Sequence, residues 1–186
     1  AVALPFLSKQ LFQAAAGAQE TARTLPMRAT AILCAVLALP AMLFFLLCIL
    51  SPRTLSRVRG ECGILTALAF AAYAAYLYFN TSLPINAPGK LTEQCAYLLI
   101  ALFFLYETRI ALGRERRPLY AAFGFAAAYL AAYTALPALI LYFAKDLIVS
   151  DSLPATVLTF GLFLFLLFRV LLAGRKDEAE HTPLTD

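Results

Sequence analysis

Between Cys62 and Gly89 the chain carries no charged residue, and neither does the run from Pro118 to Ala144. Ala29 to Leu50 adds a third run, 22 uncharged positions that include Leu43-Phe44-Phe45-Leu46-Leu47. A bilayer core about 30 Å thick is crossed by roughly 20 apolar residues in a helix. A soluble fold has no place for runs of this length, because a helix that meets water needs a polar face. Composition agrees. The chain is 62% hydrophobic and 14% charged, against about 45–50% and about 25% in soluble domains. These proportions exclude a soluble enzyme, a disordered chain and a disulfide-stapled secreted module.

The runs predict membrane spans over 29–50, 62–79, 91–112, 119–143 and 154–173. The third is the least clean: its charge-free stretch, Gln94 to Tyr106, has only 13 residues, so the span must take in Glu107 and Arg109. The fifth is expected to start with Ser152 as N-cap and Pro154 in its first turn. Asn80 to Pro84 and Ala87-Pro88-Gly89 read as a loop. No strand-like alternation occurs, and lipid tolerates only helices or closed barrels. The expected fold is all-α, a polytopic transmembrane helical bundle of about five spans, followed by a polar cytoplasmic tail over 174–186.

Arginine and lysine in short loops set the orientation. Arg53, Arg57 and Arg59 follow the first span, Arg114, Arg116 and Arg117 the third, and Arg175 and Lys176 the fifth. The other two connections hold only Lys90, and Lys145 beside Asp146 and Asp151. With Arg109 and Arg169, ten of the fifteen cations fall on one side. The expected threading is N-terminus outside and C-terminus cytoplasmic. The pI near 9.0 is then a topology signal, not a nucleic-acid footprint. Lys9, Arg23 and Arg28 run mildly against this threading. Residues 1–28 are expected to be the end of a missing upstream span, the alternative being an interfacial helix through Val2, Leu4, Phe6, Leu7, Leu11 and Phe12.

Inventory removes much of the chemistry a membrane enzyme uses. The one histidine, His181, lies in the polar tail, and every aspartate lies in a loop or the tail. No nucleophile elbow, phosphate loop or dinucleotide fingerprint occurs. No catalytic residue, metal or cofactor is expected, and the chain is not read as an enzyme. Cys34, Cys48, Cys62 and Cys95 fit no zinc or redox spacing and read as small apolar packers, although Cys34 and Cys95 share the outer half of the membrane.

Three groups of residues remain. Glu107 lies six residues before Gly113, about 9 Å inside its helix end, and Arg169 lies five before Gly174, at nearly the same depth. An intramembrane ion pair between them is expected, as a packing salt bridge or as a gate. Arg109 is rotated by about 200° from Glu107 and is expected to snorkel to lipid phosphates. Gly63, Ala67, Ala71 and Ala75, and Gly124, Ala128 and Ala132, recur every four residues. Such small-residue faces let helix backbones approach closely in lipid, within this chain or with another membrane subunit. If the second and fourth spans meet through them, Tyr73, Tyr76, Tyr129 and Tyr133 converge with Gln94, Tyr97 and Thr134 into an outward-facing ligand pocket. The alternative is a tyrosine core whose hydroxyls satisfy one another. Tyr120 and Tyr142 read as interfacial belt residues, and Pro40 and Pro137 as kinks.

Leu105-Tyr106-Glu107-Thr108-Arg109 and Gly113-Arg114-Glu115-Arg116-Arg117-Pro118 join two spans through a short basic turn. In this the chain resembles alanine- and leucine-rich multi-pass proteins of bacterial cytoplasmic membranes. The resemblance covers about 14 residues; it implies that location and transfers no functional residues. In size and small-residue faces the chain is also similar to the membrane-embedded substrate-binding subunits of energy-coupling-factor vitamin transporters, whose binding motifs it does not match. The function expected first is a non-catalytic accessory, assembly or sensory subunit working through helix–helix contacts. A small-solute binding or transport subunit comes second, its ligand unknown, and a membrane-surface enzyme last. Its constant partner is the lipid bilayer.

Overall fold

A computed structural model describes residues 24–50, 56–80, 87–113, 117–145 and 153–181. Among them run five α-helices and no strand: α1 (Thr24–Leu50), α2 (Ser56–Phe79), α3 (Pro88–Ala111), α4 (Arg117–Lys145) and α5 (Leu153–His181). Four contain segments long and apolar enough to cross a membrane, namely Leu25–Ile49, Gly60–Phe79, Pro118–Ala144 and Leu153–Ala173. That fits a multi-pass membrane protein.

The helices overrun the expected spans. Helix α1 begins at Thr24, inside the N-terminal segment, whose residues 1–23 lie outside the described part. Helix α5 continues to His181, through residues assigned to the polar tail. Charge ends a membrane span without ending a helix, because Arg, Lys, Glu and Ala all favour helical backbone. Pro88 and Gly89, expected in a loop, open α3 instead. Ala87 takes extended backbone (φ −63°, ψ 122°) and Pro88 follows in the first turn, where its missing N–H costs no helix bond. Gly113 ends the same helix at φ 78°, a conformation only glycine adopts freely, with its N–H on the Ile110 carbonyl at 3.0 Å. Pro154 sits in the first turn of α5 as expected, while Ser152 lies outside the described residues.

Each helix packs on the next in sequence: α1 on α2, α2 on α3, α3 on α4 and α4 on α5. The pairs are antiparallel. A Cβ placed on Gly63, early in α2, would collide with the Thr108 hydroxyl late in α3 and touch Phe44 late in α1. One on Gly124, early in α4, would collide with Val170 late in α5 and crowd Phe103 of α3 at 3.1 Å. Both small-residue faces are therefore used inside the chain, and both lean on α3. The strict four-residue stripes drift off the contact line, since four residues turn a helix about 40° past a full turn. Ala71, Ala75 and Ala132 are half-buried, while Ala74, Ala127, Ala131 and Ala135 take the buried line.

Helix α3 is the exception in composition and the centre in space. With Lys90, Glu93, Glu107 and Arg109 it falls outside the four apolar segments. Yet Ala96, Ile100, Phe103 and Phe104 are fully buried on it. The Phe104 ring meets Phe44 and Phe45 of α1, Phe70 of α2 and Phe165 of α5, with centroids 5.4, 5.7, 5.4 and 6.0 Å away. One side chain thus ties four helices. Phe104→Ala is expected to lower stability in detergent micelles by about 3 kcal/mol through the cavity it leaves. Phe143→Ala, at a ring 80% exposed, should change the thermal unfolding curve little. Equal effects would remove Phe104 from its place at the centre of the core.

Candidate functional site

Arg169 of α5 donates from Nη2 to Oε1 of Glu107 on α3. The carboxylate side chain is 6% exposed and the guanidinium side chain 29%. Ten residues earlier on both helices, Tyr97 and Thr159 form a second polar bond, 2.7 Å between hydroxyl oxygens. Thr159 gives its own proton to the Ala155 carbonyl at 2.9 Å, so Tyr97 is the donor to Thr159. Both bonds join residues 62 apart in sequence. A constant offset means that α3 and α5 run parallel and in register, bonded at two levels about 15 Å apart. Between these levels lie Phe104 and Phe165. No backbone approach joins α3 and α5, so long side chains carry this contact.

Arg109 is exposed and points away from Glu107, its guanidinium carbon 5.8 Å from the centre of the Tyr106 ring. That is cation–π distance, and it leaves the charge free to reach lipid headgroups. At the opposite end of α3, Lys90 is buried. Its ammonium donates to the Tyr78 carbonyl at 3.3 Å and to that of Asn80. These carbonyls close α2, so Lys90 supplies a positive charge where the helix dipole is negative. The count of loop cations treated Lys90 only as an outer charge; its place three residues after the α3 N-cap was the available signal.

The expected tyrosine pocket does not assemble. Helices α2 and α4 do not meet, because α3 lies between them and each alanine face packs on it. Tyr73, Tyr76 and Tyr97 do gather, with centroids 4.6 Å apart for Tyr73–Tyr97 and 6.0 Å for Tyr73–Tyr76. They form packed aromatic core, together with Phe70 against Tyr97. Gln94, one turn before Tyr97, buries its amide nitrogen without a hydrogen-bond partner. Thr134 turns its hydroxyl back to the Leu130 and Ala131 carbonyls, both at 3.1 Å. Tyr129 and Tyr133 face outward, 69% and 61% exposed. Tyr120, expected in the interfacial belt, is buried against Phe103 with centroids 4.8 Å apart. It shares the inward face of α4 with Gly124. Cys34 is buried and Cys95 exposed, so they are not partners.

Thr108 was not singled out in the sequence. Its hydroxyl is buried against Gly63 without a hydrogen-bond partner. Thr159 was missed as the partner of Tyr97, although the offset of the Glu107–Arg169 pair, applied to Tyr97, lands on it. No protein-family model matches the chain, and no curated protein or solved structure matches it either.

The two bonds differ in what they carry, and substitution separates them. Glu107→Ala strands the guanidinium and should cost on the order of 2–3 kcal/mol in micelles, below the full buried-pair value because Arg169 is partly exposed. Glu107→Leu with Arg169→Leu should recover most of that loss. Tyr97→Phe removes one neutral bond and should cost about 1 kcal/mol. A Glu107→Ala protein that melts with the unsubstituted chain would deny the pair any structural role.

Proposed function

We propose that this chain is a non-catalytic subunit of a bacterial cytoplasmic membrane, threaded five times with its C-terminus inside, and that it works by presenting the outer face of α4 to another helix. One observation carries the reading. Tyr129 and Tyr133 stand two residues either side of the midpoint of the Pro118–Ala144 segment, on its exposed face. Among the described residues neither has a hydrogen-bond partner.

A hydroxyl moved from water to hydrocarbon without a partner costs about 4–8 kcal/mol. Most threonines in these helices avoid that cost locally, although the buried Thr108 does not. Thr30, Thr66, Thr134 and Thr159 all bond carbonyls of their own turn. A phenol hydroxyl stands too far from its own backbone to do the same. Nor does it reach the headgroups, which lie about 15 Å from the midplane of a 30 Å core. A neighbouring helix is the remaining source of partners. The outward faces of α1 and α5 present hydrocarbon such as Leu39, Leu43, Leu164 and Phe168, the surface that lipid chains already suit. The fifth crossing, α3, is supported by its central place in the bundle, where neighbours cover Lys90 and Glu107.

Replacing Tyr129 and Tyr133 with leucine separates assembly from folding. The double variant should insert normally and melt in detergent within a few degrees of the unsubstituted protein. In mildly solubilised membranes its native complex should collapse to the mass of a single chain. A wild-type chain already monomeric there, or a complex indifferent to both substitutions, would contradict the proposal.

A further inference from the structure

The face of α4 is self-complementary, and we infer that its occupant is a second copy of this chain, related by a two-fold axis along the membrane normal. The inference rests on the assembly role proposed above and names the partner. Copies threaded the same way meet in parallel, so each residue of the seam faces its own counterpart at the same depth. A phenol donates one hydrogen bond and accepts others, so Tyr129 and Tyr133 can each be satisfied by themselves in the other copy. An acceptor stands at the same depth. Pro137 has no N–H to give the Tyr133 carbonyl, four residues before it, and both residues lie on the exposed face. Donors and acceptor therefore occur together on one surface, which an identical surface matches.

Charge and spacing agree. Pro118 to Ala144 holds no charged side chain, so two copies bring no like charges together. Ala122, Ala126, Tyr129, Tyr133, Leu136 and Ile140 are all exposed and step by four and three in alternation. That is the seam of a left-handed helix pair, with small residues towards one end and the tyrosines at mid-membrane. The larger four of these, with Phe125 and Phe143, together expose on the order of 700 Å² at about 200 Å² per large side chain. A standard interface uses about 800 Å² per partner.

The test places one cysteine at Leu119, at the water-facing start of α4, with Cys34, Cys48, Cys62 and Cys95 replaced by alanine. A control carries its cysteine at Val58, on the exposed side of α2 at the same end of the bundle. Two differently tagged copies are co-expressed in membranes and treated with a short bismaleimide. Leu119→Cys is expected to give an adduct of twice the chain mass carrying both tags, at least ten-fold more than Val58→Cys. Adding the two tyrosine-to-leucine changes should return it to the control level. An adduct of Leu119→Cys with a different protein would overturn the second copy and leave the assembly role standing. No adduct above the control would overturn the second copy, and a single-chain native mass for the wild type would overturn the assembly role with it. Where the cysteine-free chain fails to fold, photobleaching of the native sequence fused to a fluorescent protein decides: two steps per spot are expected, and single steps overturn the inference.

Discussion

In a bilayer, nothing squeezes apolar helices together, because lipid chains solvate leucine as well as another helix does. What holds this bundle is the packing of the other four helices on the inner face of α3, whose outer face, with Leu91, Leu98, Leu102 and Leu105, is exposed. They meet it through features that lipid cannot replace. These are backbone approach at Gly63 and Gly124, the rings packed on Phe104, and polar bonds at both ends of the α3–α5 contact. Remove α3 and the small faces of α2 and α4 each lose one of the two surfaces they lean on.

The same packing explains where the pair sits. Glu107 lies on the buried face of α3 and its partner comes from α5, so the carboxylate is not left facing hydrocarbon. Lys90 uses the opposite end of the same helix to close α2. Because the helices alternate in direction, the ends of α1, α3 and α5 share one side of the bundle with the starts of α2 and α4. Arg109 and Arg169 lie near that side. The positive-inside rule would make this the cytoplasmic side.

Depth was legible in the sequence, and azimuth was not. Counting inward from Gly113 and Gly174 puts Glu107 and Arg169 at one level, and the structure has them bonded. The helix end at Phe79 was legible for the same reason. Which way a side chain faces was not, because a helix in lipid is apolar all round and carries no amphipathic signal. The alanine stripes of α2 and α4 were thus assigned to each other, when both meet α3. Tyr129 and Tyr133 were placed inside with Tyr73 and Tyr97, when they point out. The hydropathy of α3 misleads in a related way. Composition records the charges a helix carries and is blind to the neighbours that cover two of them here, Lys90 and Glu107.

Whether α3 crosses the membrane decides the account, since a helix packed against all four others must lie at the depth of its neighbours. The direct measurement is labelling, from outside intact cells, of single cysteines placed at Gly89 and Leu112 in a chain freed of its own four. The account predicts that Gly89→Cys reacts with a membrane-impermeant maleimide at once. Leu112→Cys should react only after the membrane is opened. Equal labelling of both positions from the same side would mean that α3 does not cross, and would contradict the five-span bundle built around it.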